Sequence, residues 1–217
     1  MNLVRVIDTE TTGLDPAIDA IVEIAKVDWV DGQIGAMRSD LVDPCRPIPS
    51  LAKAVHHITE ADVAGKPKMD AVLPDYRAEI AAAHNADFDR KFLGDGFAKH
   101  WVCTYKVSLR IWPDFPSHSN QFLRYELGLP SPTEGLPHRA LYDAFITAHL
   151  LAEEAKHMSV REMVQTSREP ALLTTLNFGK YRGTTIADAP RDYLDWLLRN
   201  SEDESIKFSV RKALEEA

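Results

Sequence analysis

The chain opens with Leu3-Val4-Arg5-Val6-Ile7, an apolar and largely β-branched run that drives into Asp8-Thr9-Glu10 and stops at Thr11-Thr12-Gly13. This pattern predicts a buried strand ending in a turn. Ile21 to Val30 alternates apolar with polar, as a half-buried strand does. Asp31-Gly32 is a hairpin signal, so Gln33 to Val42 is expected to return antiparallel and complete a three-stranded meander. Three prolines between Asp43 and Pro49 mark a loop. Helical spacing appears over Thr59 to Val63, with Thr59 as N-cap, and again over Met69 to Ile80. Ile80 to Asn85 reads as a short buried strand, although its alanines suit a helix equally. Phe88 to Phe97 is expected to be helical and Trp101 to Tyr105 a strand. Ser119 to Leu127 and Arg139 to His157 carry the apolar stripes of helices. The order βββαβαβαα points to an α/β fold, a mixed sheet flanked by helices.

Beyond His157, Ser159 to Ser167 is a short helix that stops before Pro170. Thr174 to Phe178 alternates like a strand and runs into Gly179-Lys180-Tyr181-Arg182-Gly183. Arg191 to Asn200 and Glu202 to Glu216 are amphipathic. Two units are therefore expected: residues 1–158, and a small C-terminal module over 159–217 whose role the pattern does not specify.

The 217 residues allow one ordinary domain plus an appendage. A net charge of -8 argues against a broad basic surface for non-specific nucleic-acid binding. It leaves a nucleic-acid enzyme open, since part of the excess acid would be neutralised by bound cations. Cys45 and Cys103 lack partners at zinc spacing and read as reduced thiols. With no signal peptide or membrane span evident, a cytoplasmic protein without a membrane partner is expected.

Asp8 and Glu10, two apart on a strand, stand on one face, and like charges so close call for a cation between them or a proton on one. Hard oxygen donors suit a divalent ion such as Mg²⁺. Three further stretches could complete the site. His84 to Phe92 joins a strand to a helix and holds Asp87 and Asp89; Pro137 to Ala144 opens a helix with His138 in its entry and Asp143 a turn further in; Val55 to Thr59 holds His56 and His57. A mobile imidazole beside a fixed acid suits proton transfer next to a ligand. Singly, each residue has a plainer reading: a helix N-terminal acid for Asp89, an exposed mid-helix acid for Asp143, a surface histidine for His138.

Together, Asp-Thr-Glu-Thr-Thr-Gly-Leu at 8–14, Asn85-x-x-Phe88-Asp89 and His138-x-x-x-x-Asp143 resemble, in order, the three motifs of the DEDDh (DnaQ-like) 3′→5′ exonucleases. The likeness spans roughly Val4 to Leu151. Phe178 to Gly183 and the helix around Tyr193 to Leu198 resemble the C-terminal region of the exodeoxyribonuclease X branch. The resemblance implies a ribonuclease-H-like fold with a central five-stranded mixed sheet and helices on both sides. It implies that Asp8, Glu10, Asp89 and Asp143 bind two Mg²⁺ or Mn²⁺ ions and that His138 is the general base, and it leaves Asp87 out of the site. Arg139 occupies the slot in which a second subclass carries tyrosine. Thr11, Thr12, Leu14 and His56 are implied as substrate contacts, the first two through the backbone that receives the terminal 3′-OH and Leu14 as a wedge against the last base.

A phosphodiester is anionic and repels nucleophiles, so two divalent ions about 3.5–4 Å apart would clamp it and neutralise developing charge. An imidazole can accept a proton near neutral pH. The expected activity is release of 5′-mononucleotides from the 3′ end of DNA, single-stranded at the terminus, with a place in DNA repair. RNA trimming and polymerase proofreading are alternatives within the enzyme class. A non-catalytic scaffold is the alternative outside it, and protein partners are not specified. Lys180-Tyr181-Arg182 reads either as a nucleic-acid contact or as a tight turn with solvated charges.

Overall fold

The computed structural model describes residues 3–133 and 135–216. Strands β1 (Leu3–Thr11), β2 (Ile21–Val30) and β3 (Gln33–Leu41) form the expected antiparallel meander. Two further strands, β4 (Ala78–Ala83) and β5 (Ala98–Cys103), run parallel to β1 and to each other, giving the order β3-β2-β1-β4-β5. β1 is thus the central strand, paired along both edges, and its acidic end lies in the middle of the sheet.

The period of two along β1 divides its side chains between two layers. Val4 and Val6 face one core with Ala25, Val27 and the inner stripe of α7 (Ala140–Glu154), which lies across β1 and β2. Behind it pack α5 (Thr104–Ile111) and α8 (Val160–Arg168), whose Met163 is fully buried. Ile7 faces the opposite core with Ile24, Ala81, Tyr76, Phe97 and Leu93, the last from α4 (Ala86–Leu93). A third core, with Leu176, Ile186, Leu194, Leu197, Ile206 and Val210, joins α9 (Arg191–Asn200) to α10 (Glu204–Glu216). No helix among the described residues is long and apolar enough to cross a membrane.

The expected helix over Met69 to Ile80 is broken. Helix α3 (Met69–Val72) tightens into a single 3-10 turn at Leu73–Asp75, where Pro74 intervenes, and β4 begins at Ala78. Ala81, Ala82 and Ala83 are all buried, so the strand lacks the polar alternation that would have marked it. The expected strand at Trp101 to Tyr105 starts earlier and ends at Cys103, and α5 follows at once. Thr174 to Phe178 is not a strand: one bridge, Thr175 to Thr185, closes an arm held by hydrogen bonds from Ile186 N to Thr174 O and Gly183 N to Leu176 O. Helices α1 (Ser50–His56) and α2 (Glu60–Val63) flank a turn, and the Thr59 amide caps α2 by donating to Asp62 at 2.8 Å.

Glu154, near the end of α7, is fully buried, and neither carboxylate oxygen has a hydrogen-bond partner among the described residues. Burial pushes its carboxyl well above the ordinary glutamate value of 4.5. The folded chain therefore holds a proton that the unfolded chain releases, and stability falls as pH rises above about 4.5. Glu154→Gln keeps the shape without the ionisation. At pH 8 it is expected to raise stability by about 1–3 kcal/mol, or several degrees of melting temperature. At pH 5 the two melting curves should nearly coincide; a difference independent of pH would refute the assignment.

Candidate active site

Asp8 and Glu10 share the Val4 and Val6 parity and so project toward α7, which carries Asp143. One carboxylate oxygen from each of Asp8, Glu10 and Asp143 lies within 4.8 Å of the others. Thr9 has the opposite parity, faces the α4 layer, and donates its hydroxyl to Asp89 Oδ1 at 2.7 Å. Asp89 is only 3% exposed and approaches the cluster around the end of β1, from the other side of the sheet. It stands outside the close trio yet near enough for its charge to act on Asp8. The four acids come from three elements and both layers. Asp87 points elsewhere, pairing with Lys106 at 2.7 Å.

Crowding and burial make this cluster electrostatically costly. Burial first, and then the charges of Asp89, Glu10 and Asp143, hold the Asp8 carboxyl well above the aspartate range. Glu10 is pushed up to about 8 by burial, with Asp143 and Glu23 adding to it. Burial raises Asp89 to about 7, against the lowering effect of the Thr9 hydroxyl. Asp143 is raised by burial and partly relieved by the His138 amide, which donates to its Oδ2 at 2.9 Å. Carboxylates held this close in a partly desolvated site prefer protons or cations, and the all-oxygen donor set fits a hard divalent ion.

His138 is exposed, in the left-handed region at φ 63°, immediately before Arg139, the N-cap of α7. Its backbone, not its ring, is tied to Asp143. Thr11 and Thr12 are buried, and their hydroxyls hold the turn, Thr11 donating to Gly13 O and Thr12 to Asp19. A Cβ at Gly13 would meet the Asp19 carboxylate at 2.4 Å, so a side chain there would displace Asp19 from Thr12. Leu14 stands out at 83% exposure at the tip of this turn. His56 is buried: its Nδ1 accepts from the Ile58 amide at 3.0 Å, while Nε2 has no hydrogen bond among the described residues. Burial keeps its imidazole below the ordinary histidine range.

The structure adds residues that motif reading passed over. Glu23 lies opposite Glu10 in the β1–β2 register and is 4% exposed. Its carboxylate accepts two hydrogen bonds from the Arg139 guanidinium at 2.9 Å and a third from the Ala140 amide at 3.0 Å. The fork both neutralises Glu23 beside Glu10 and pins the first turn of α7, and with it Asp143. From α6 (Asn120–Glu126), Asn120 Nδ2 donates to the Asp143 carbonyl at 3.2 Å and Gln121 Nε2 to its Oδ1 at 3.3 Å. A charged residue in the apolar run Ile21 to Ala25 was the only trace of Glu23 in the sequence.

A five-stranded mixed sheet with an acid cluster at the end of its central strand places the protein among the ribonuclease-H-like nucleases. The exonuclease family model matches residues 6–151, and the chain belongs to that family. Over 98% of this chain and 99% of the relative, it is 42% identical to Exodeoxyribonuclease 10 of Escherichia coli (strain K12). A DNA polymerase III subunit epsilon-like protein of Rhodobacter capsulatus is 39% identical over 66% of this chain and 22% of its own length. The structure of exonuclease X in complex with 5′ overhanging duplex DNA superposes with a TM-score of 0.70 and 43% identity, covering 76% of this chain and 99% of that one. Escherichia coli exonuclease I with an oligonucleotide, at 13% identity and a TM-score of 0.59, shares the fold. A second family model, described as a quorum-sensing-regulated virulence factor, matches residues 169–201.

Proposed function

We propose that this exonuclease removes 5′-mononucleotides from the 3′ end of DNA, with Asp8, Glu10, Asp89 and Asp143 holding two Mg²⁺ or Mn²⁺ ions and His138 as general base. The observation that carries this reading is the approach of Asp8, Glu10 and Asp143 oxygens to within 4.8 Å of one another. Bound divalent ions would supply charge neutralisation at the scissile phosphate. The chain's own residues do the rest. Thr9 keeps Asp89 turned toward the cluster, and the Glu23–Arg139 fork and Gln121 set the Asp143 carboxylate. Leu14, exposed at the turn after β1, would pack against the terminal base, with the backbone of Thr11 and Thr12 beside the sugar. His56 lines the same turn. The His138 ring, on an exposed left-handed residue, is free to approach the attacking water and take its proton.

DNA as substrate is supported by the near-full-length likeness to an exodeoxyribonuclease and by a relative whose structure holds duplex DNA. A terminus unpaired before cleavage, a role in repair and a cytoplasmic location belong to the same reading. The test is a 5′-labelled single strand incubated with Mg²⁺ or Mn²⁺, alongside matched RNA. A ladder shortening from the 3′ end of DNA is expected; faster loss of RNA would make the protein a ribonuclease, and no ladder with either metal would overturn the reading. His138→Asn keeps a residue that tolerates the left-handed backbone but cannot take a proton at neutral pH. It is expected to lower kcat by about 10²–10⁴-fold with an unchanged melting temperature. A variant of wild-type rate would remove His138 from the mechanism.

A further inference from the structure

Between the exonuclease domain and the C-terminal module lies a cleft of about 640 Å³. One wall comes from the exonuclease domain: His84 at the end of β4, Tyr105 on α5, Phe115, and Ser119, which caps α6. The other wall is the arm over residues 174–183, which contributes Asn177 and Arg182. In a chain with 33 acids against 25 bases, no aspartate or glutamate among the described residues lines this cleft. Lys180 and Arg182 are the only charged residues of the arm. Both are exposed and neither forms an ion pair among the described residues; Arg182 lines the cleft, whereas Lys180 lies outside it with its ammonium over the Tyr181 ring, 5.1 Å from the centroid.

The arm is built rather than loose. Gly179, at φ +69°, carries it directly over Tyr193, where a Cβ would sit 2.7 Å from the phenol oxygen. Tyr193 packs in turn against Tyr181, at 4.7 Å between ring centroids, and Trp196, at 5.7 Å. The Thr174 hydroxyl donates to the Pro113 carbonyl at 3.1 Å, fixing the arm to the exonuclease domain. The cleft's near wall is continuous with the catalytic acids, because the two residues after Ser119 are those that bind Asp143, and His84 leads through Asn85 into the helix that carries Asp89.

We propose that this cleft holds the single strand of substrate a few nucleotides before its 3′ terminus, with Arg182 taking a backbone phosphate inside it, Lys180 on the same arm taking another where the strand leaves it, and Tyr105 and Phe115 offering faces for bases. The proposal rests on the exonuclease reading above and assigns the C-terminal module the task of gripping the strand being shortened. Cations that track phosphates, beside aromatic faces that stack any base, are what sequence-independent single-strand binding requires.

The test is binding of a fluorescent oligothymidylate of about twenty nucleotides without divalent metal, a length that outreaches the terminal-nucleotide pocket. In the Lys180→Ala/Arg182→Ala double variant, Kd is expected to rise about 5–20-fold at moderate salt, and the slope of log Kd against log salt to shrink by about 0.7 per cation removed. Asn177→Arg adds a cation to the same wall and is expected to tighten binding and steepen the slope. The ratio of kcat/KM on the oligonucleotide to that on the p-nitrophenyl ester of thymidine 5′-monophosphate should fall in the double variant. Unchanged Kd and slope in both variants, in a protein that cleaves DNA, would overturn the role of the arm alone. Arm-dependent binding by a wild-type protein that cleaves neither substrate with Mn²⁺ would overturn the catalytic reading and leave the strand contact standing.

Discussion

Asp8→Asn is expected to lower kcat by at least about 10³-fold while making the metal-free protein more stable. The two effects share one cause. Asp8 is buried among Asp89, Glu10 and Asp143, so its charge is disfavoured by desolvation and by its neighbours. Removing that charge relieves the cluster, for a gain on the order of 2 kcal/mol near pH 8, or several degrees in melting temperature. The same substitution removes a ligand that would pay back this cost when cations bind. Added Mn²⁺ is therefore expected to raise the melting temperature of the wild type strongly and that of Asp8→Asn weakly, since stabilisation by a ligand grows with the logarithm of its concentration over Kd. A loss of activity accompanied by a lower metal-free melting temperature would point instead to a misfolded site.

Arg139→Ala has the second-largest expected effect, on a residue that touches no substrate in this account. Glu23 is nearly sealed from solvent and sits across the sheet from Glu10, and like charges in that register repel. Without the guanidinium fork, the Glu23 carboxylate keeps only the Ala140 amide and the Ser39 hydroxyl at 3.0 Å. Leaving a buried carboxylate without its charge partner is expected to cost about 2–4 kcal/mol, discounted because the arginine side is partly solvated. The first turn of α7 would also lose its clamp, and a displacement of an ångström at Asp143 is enough for about a 10²-fold loss of rate. Arg139→Lys should recover only part of this, since an ammonium cannot make the two-pronged contact. The double change Glu23→Gln/Arg139→Ala removes both charges, its stability is expected to exceed that of Arg139→Ala, and with Glu23→Gln alone the three variants close a cycle. Strict additivity in this cycle, measured by denaturant unfolding, would show that the pair does not couple.

What was readable in the sequence were features written by neighbours along the chain. β1 announces itself because four apolar residues among Leu3 to Ile7 end in acids at period two, and the His138 to Asp143 spacing lies within one helix start. The meander follows from the Asp31-Gly32 turn, and the structure keeps it. Features that depend on distant partners were invisible. Glu23 and Arg139 are 116 residues apart, and only the fold makes one the clamp of the other. Thr9 carries no signal of its own in the sequence; only the two-layer division of β1 shows that it reaches the α4 side and bonds Asp89. The helix expected through Met69 to Ile80 failed because β4 is buried on both faces and lacks alternation. The strand expected over Thr174 to Phe178 failed because a single bridge, Thr175 to Thr185, is all that pairs it.

Anomalous diffraction from a crystal soaked with Mn²⁺ and a nucleoside 5′-monophosphate tests the whole account most directly. Two manganese peaks about 4 Å apart, bounded by Asp8, Glu10, Asp89 and Asp143 and bridged by the phosphate, are expected. Manganese bound elsewhere, or a cluster that stays free of metal beside an ordered nucleotide, would contradict it.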